Sequence, residues 1–374
     1  MAGSNAANCK PYKESGGRTH VQGGYDRPAT LVVDLHGHML VAKADEFIRP
    51  HLPADKLDAV KFAPPLTREL NVKQNKDRWE ELTGLEQRLK DMDRMGIDVM
   101  VMSPAPPQFN YMAEAALGHE ANQIVNDGLA AAVKQQPDRL VAIGTVPLQD
   151  TELAVSELVR CMTELDMYGV ELGANVAGEE LSSERLDPFW AKAQELDATI
   201  LIHPTAFASN RFGNHYFTNV IGNPLDTTVA IHYLIFEGVM ERFPNLKIVL
   251  SHGGAFASHY AARMDHAWYA RPDCCQHITQ PPTSYLKKFY FDNIVFAVDQ
   301  LEFLGKKFGA EHIVLGTDYP FDMGEYDPVE HISQVESFSQ SDRENICGLN
   351  AVRLLGLDPE KFARADFKGG GYDS

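Results

Sequence analysis

LVVDLHGHML, residues 31–40, runs three apolar residues into Asp34 and then sets His36 and His38 on either side of Gly37. Residues two apart on a β-strand face the same way, so a strand here aims both imidazoles at one point. One histidine at a strand end is usually structural. Two at this spacing, where an apolar run stops, form a pattern suited to metal ligation or proton transfer.

Outward from this stretch, seven more short apolar runs recur: 97–104, 140–148, 168–175, 198–204, 246–254, 289–296 and 312–320. Amphipathic segments separate them, among them GLEQRLKDMDRMG (84–96), HEANQIVNDGLAAAVKQQ (119–136) and DQLEFLGKKFG (299–309). Near-continuous apolar strands alternating with helices indicate a parallel sheet covered by helices. Eight such units predict an α/β fold of the (β/α)8 TIM-barrel type. A doubly wound open sheet is the competitor, but no GxGxxG follows the first strand.

The expected organisation is a flexible N-terminal arm (1–29), a single barrel domain (30–360) and a C-terminal tail (361–374). Two inserted loops, 39–83 and 205–224, follow the first and fifth strands. Loops after strand C-termini line the working face of a barrel, which makes both candidates for a lid or pocket wall.

Composition narrows the function classes. A formal charge of −18 disfavours a nucleic-acid partner, because phosphate backbones are bound by clustered Lys and Arg. No apolar run reaches the ~18–20 residues that span a bilayer, so no membrane partner is expected. The N-terminus lacks the apolar core of a signal peptide. Five cysteines without a CxxC spacing fit a reduced, cytoplasmic protein.

The strand ends carry the chemistry. The first run ends in His36 and His38, the fifth in His203, the sixth in His252 and the eighth in Asp318. In a barrel these ends converge on one mouth. Three imidazoles and a carboxylate suit Zn²⁺, and Mn²⁺ or Co²⁺ share such ligands. His252 is then free to act as acid or base, with Asp318 both a ligand and a proton acceptor. The other histidines sit in arms, helices or loops and are read as structural, His215 being the exception to watch because of its loop.

The motifs DLHGH, IHP, SHGG and GTDYPF, with LKDMDRMGIDVMVMS and GVMERFPNLKIVLSHGGAF between them, resemble the amidohydrolase superfamily over residues 31–357. Within it they are similar to the branch of 2-amino-3-carboxymuconate-6-semialdehyde decarboxylase and related metal-dependent decarboxylases. The resemblance implies His36, His38, His203 and Asp318 as metal ligands and His252 as the acid/base working on a metal-bound water. It implies a homodimer in which Arg263, eleven residues after His252, reaches the neighbouring subunit's site to hold a substrate carboxylate. Lys76 or Arg78 takes the place of a second cation, and Phe109 that of a pocket aromatic. The implied reaction is non-oxidative decarboxylation of a carboxylated aromatic or muconate-semialdehyde-type acid. The alternative is a hydrolase of a C–C bond, lactone or amide, or a hydratase. DLHGH favours the muconate type, whereas Thr205 stands where that type is expected to have a tryptophan. The fourth run ends in Glu171-Leu172-Gly173 without the lysine of binuclear relatives, which implies a mononuclear site.

Overall fold

One strand forms inside each of the eight apolar runs: β1 Val33–Met39, β2 Val99–Pro104, β3 Leu140–Ala142, β4 Gly169–Gly173, β5 Thr199–His203, β6 Lys247–Leu250, β7 Tyr290–Asp292 and β8 Ile313–Val314. The computed structural model describes residues 25, 27–52, 63–205, 207 and 209–367. The expected arm therefore lies almost wholly outside the described residues, as does the tail beyond 367.

All neighbouring strands pair in parallel, β1–β2–β3 on one side and β4–β5–β6–β7–β8 on the other. Two single bridges join these sheets. Gly144, just past β3, pairs with Val170 of β4, and Gly37 of β1 pairs with Tyr319, just past β8. Leu35 N–H also donates to Leu315 O at 2.9 Å. The ring is thereby closed, which leaves no strand edge exposed. A small antiparallel hairpin, Asn175–Val176 with Glu179–Glu180, stands outside the barrel.

The strands alternate between two apolar layers. Val33, Leu35, Val99, Val101, Val141, Leu201, Val249 and Val314 fill one cluster, closed from below by Ala351, Leu354 and Leu355 of the C-terminal helix Asn350–Leu355. Met100, Met102, Val170, Leu172, Ile200, Ile202, Ile248 and Leu250 pack into the larger cluster with the surrounding helices. In β1 the alternation is broken on purpose. The β1–β2 register slips by one residue between Asp34 and Gly37. This bulge lets Leu35 stay in the inner cluster while His36 and His38 both turn into the mouth above it. Gly37 faces the other way, where an added Cβ would stand 2.9 Å from Met100 Sδ.

Six covering helices match the amphipathic segments: α1 Glu86–Met95, α2 Ala115–Gln135, α3 Thr151–Thr163, α4 Asp187–Glu195, α5 Asn223–Phe236 and α7 Val298–Phe308. Another, α6 Ala257–Ala270, lacks a wide apolar stripe and buries little beyond Ala257, Ser258, Ala261 and Met264. It was not legible as a helix. Within the expected inserted loop 39–83 the described residues form helices Ala42–Ile48, Pro65–Asp77 and Trp79–Thr83, and 53–62 lie outside the described residues. Pro65 opens the second at the position where a missing N–H costs nothing. None of its residues is buried, so it has no apolar periodicity to read. The segment 205–224 likewise holds short helical turns at Asn210–Phe212 and Thr218–Gly222.

Candidate metal centre

His36, His38, His203 and Asp318 meet at the C-terminal mouth of the barrel, all buried, with one ligand atom from each within 4.8 Å of the others. His36 Nε2 lies 3.0 Å from His38 Nε2. Asp318 Oδ1 stands 3.0 Å from His38 Nε2, 3.6 Å from His36 Nε2 and 3.9 Å from His203 Nε2.

The far side of each ring explains why these nitrogens are free. His36 Nδ1 donates to Asp292 Oδ2 at 2.8 Å, His38 Nδ1 to Pro104 O at 3.0 Å, and His203 Nδ1 to Pro204 O at 2.9 Å. A carbonyl or carboxylate can only accept, so Nδ1 carries a proton in each ring and Nε2 is the nitrogen turned inward, where a cation can take it as a ligand. His203 Nε2 is buried with no hydrogen-bond partner. Such an orphaned atom costs free energy unless something occupies the centre. Three imidazoles and a carboxylate with this orientation fit a divalent cation.

The electrostatics point the same way. Burial alone would lower the His38 pKa, but the charges of Glu171 and Asp318 raise it to about 10. Burial, reinforced by His38, His36 and His252, pushes His203 well below its ordinary range. Burial would raise the Asp318 carboxyl, yet hydrogen bonds from His252 and His38 hold it well below the usual range. His203 is thus held neutral and Asp318 ionised, the forms in which each can ligate a cation.

His252 stands beside this group, with Nε2 3.5 Å from Asp318 Oδ2 and Nδ1 without a partner. Burial lowers its pKa, and the hydrogen bond and charge of Asp318 more than reverse that, leaving it raised. Both His252 and Asp318 hold left-handed backbone, φ +54° and +56°, unusual outside glycine.

A cavity of about 600 Å³ opens above the group, with His203 and Asp318 in its floor and Phe109, Tyr111, Phe207, Tyr216 and Phe321 in its walls. Phe109 is buried and stacks on Tyr111 with centroids 5.8 Å apart. Both covering segments contribute, Thr67 and Asn71 from one and Tyr216, Thr218 and Asn219 from the other. They meet where Thr67 Oγ1 donates to His215 O at 2.9 Å. Asp322 ties both to the loop that carries Asp318: Gln74 Nε2 donates to it at 3.0 Å and Tyr216 Oη at 3.2 Å.

The remaining expected residues lie apart. Arg78 donates to Pro320 O at 2.9 Å and lines a 160 Å³ side cavity that shares Asn71, Tyr216, Phe321 and Asp322 with the main one. Lys76 is exposed and lines neither. Arg263 is exposed on α6 and does not line the cavity. The His215 ring rests on Phe217 instead of lining the cavity.

Two buried carboxylates were missed as site residues. Glu171, in the middle of β4, is fully buried with its Oε2 3.7 Å from His38 Nδ1. Asp292 ends β7 behind His36. Both interrupt or end an apolar strand run, the same signal that marks the histidines.

A family model described as Amidohydrolase matches residues 33–357. The 2-amino-3-carboxymuconate-6-semialdehyde decarboxylase of Dictyostelium discoideum is 36% identical over 278 residues, 74% of this chain and 77% of that one. A gamma-resorcylate decarboxylase of Rhizobium sp. (strain MTP-10005) is 28% identical over 309 residues, 75% of this chain and 91% of that one. Among solved structures, a dihydroxybenzoic acid decarboxylase from Polaromonas sp. JS666 with bound manganese has a TM-score of 0.74 at 23% identity, covering 88% of this chain and 97% of that one. The 5-carboxyvanillate decarboxylase of Sphingomonas paucimobilis has a TM-score of 0.77 at 20% identity, covering 88% and 100%. These two share the fold. With the family match spanning the whole barrel, the chain belongs to the amidohydrolase family.

Proposed function

We propose that the protein is a metal-dependent carboxy-lyase that removes carbon dioxide, without net oxidation, from a small aromatic or muconate-type acid. The observation that carries this reading is the cluster of inward-facing Nε2 atoms and Asp318, which reaches an aromatic-walled cavity through His203 and Asp318, with His252 alongside. The decarboxylase names of the relatives support it.

Loss of carbon dioxide breaks a C–C bond and leaves its electron pair on carbon. An unsaturated or phenolic substrate delocalises that pair. A divalent ion held by His36, His38, His203 and Asp318 would supply Lewis acidity to offset the negative charge that develops. His252, whose pKa the hydrogen bond and charge of Asp318 raise, is the group placed to deliver the proton that forms the new C–H bond. Phe109 and Phe321 give the cavity aromatic walls suited to a flat, unsaturated substrate.

The donor set suits Zn²⁺, with Mn²⁺ or Co²⁺ as substitutes. The Arg78 side cavity supports Arg78 over Lys76 as the chain's own carboxylate-binding cation. The exposure of Arg263 agrees with its donation to a partner's site in a homodimer. Among the described residues no helix is long and apolar enough to cross a membrane, and the four cysteines are free, in keeping with a cytoplasmic enzyme.

The test is a screen of aromatic and muconate-type acids with metal-loaded protein, read by released carbon dioxide. Turnover without carbon dioxide release would instead establish the hydrolase or hydratase alternative.

A further inference from the structure

Asp292 connects two parts of the centre that the sequence keeps far apart. Its carboxylate is fully buried and accepts four hydrogen bonds. Oδ2 takes His36 Nδ1–H at 2.8 Å and the backbone N–H of His252 at 2.9 Å. Oδ1 takes the backbone N–H of Gly253 at 2.8 Å and of Ile294 at 3.0 Å.

The His252 side is a tight turn. His252, Gly253 and Gly254 have φ of +54°, +63° and +69°. Successive N–H groups in such a turn point into one concavity that suits an anion. Here the anion is Asp292, so the strained turn that presents the His252 ring is held by the same oxygen that fixes the His36 tautomer.

We infer that Asp292 is a positioning residue that couples the metal ligand His36 to the acid/base His252, setting the distance between ion and proton carrier. It touches neither substrate nor ion. The inference rests on the metal and His252 roles proposed above, but not on which acid is the substrate.

Asp292→Asn keeps the shape and removes the charge. It presents either an NH₂ group or a weaker acceptor to His36 and to the turn. Zn²⁺ affinity, measured by chelator competition, is expected to fall by about 10–100-fold, as for other groups that orient a ligating imidazole. At saturating metal kcat stays at least tenfold low while KM changes less than threefold, because the turn carrying His252 has shifted. The visible absorption of the Co²⁺-loaded variant also differs from wild type.

Full recovery of kcat on adding metal would overturn the coupling, as would unchanged metal affinity. If the variant does not fold, ¹⁵N-histidine NMR of the wild-type Zn²⁺ protein decides. A hydrogen-bonded Nδ1 proton on His36 is expected, and an Nε2-protonated ring overturns the assignment. Absence of carbon dioxide release from wild type would instead count against the proposed function, since affinity and tautomer are read without substrate.

Discussion

Every residue of β1, which carries His36 and His38, is buried, whereas the helix Pro65–Asp77 that roofs the cavity buries none of its 13. The mouth is fixed by a bulge, by carboxylates behind the rings and by a filled inner cluster. The roof is attached through side-chain hydrogen bonds such as Thr67 to His215 and Gln74 to Asp322. The chemistry sits on strands and on the tight turns just past them, and the surfaces that meet the rest of a substrate sit on exposed segments held by few hydrogen bonds.

The contrast can be broken most severely from within the cage. His203→Ala removes the orphaned Nε2, so metal content measured by atomic spectroscopy is expected to fall to background and turnover with it. His252→Ala should lower kcat by about 10²–10⁴-fold, the usual weight of a general acid, while metal content is unchanged. Survival of activity in that variant would reassign the proton donor.

Acidity sharpens the comparison without mutation. In the metal-free protein His38 has its pKa raised from 6.5 to about 10. The stability this confers is complete below about pH 6.5 and is lost as pH rises through about 10. Bound metal takes the place of that proton, so urea melts of the loaded protein should lack this decline. An equal decline in both forms would detach His38 from the metal.

The smallest effects separate mouth from roof by stability alone. Gly37→Ala drives a Cβ toward Met100 Sδ and should cost about 1–3 kcal/mol, the range for overpacked cores. Val72→Ala, on the roof helix and 70% exposed, should change stability by no more than about 0.5 kcal/mol. Denaturant unfolding of both variants checks the ordering.

Much of the mouth was legible because burial writes itself into sequence. Apolar runs marked all eight strands, and a polar residue ending such a run stood out in His36, His38, His203 and Asp318. The bulge in β1 left no such mark, since Leu35 and His36 look like ordinary alternation and the extra residue appears only against β2. Asp292 bears the same mark, an acid ending an apolar run, but its partners, a ring 256 residues away and backbone N–H groups, leave no trace in the sequence. The roof helix was read as loop because a helix that buries nothing needs no stripe. Lys76 and Arg78, two residues apart, look alike in sequence, and only the end of that helix sets Arg78 beside Pro320 and leaves Lys76 exposed.

Asp322 has a consequence for how such an enzyme diversifies. Its hydrogen bonds to Gln74 and Tyr216, with that of Thr67 to His215, are joints worth about 0.5–1.5 kcal/mol each, and none involves a metal-site residue. Mutation can therefore rewrite the roof, lengthening it, shortening it or changing its side chains, at little cost to the barrel's folding or its ligand cage. Selection acting on new carboxylic acids has an inexpensive part of the molecule to work on, while the reaction itself is inherited intact.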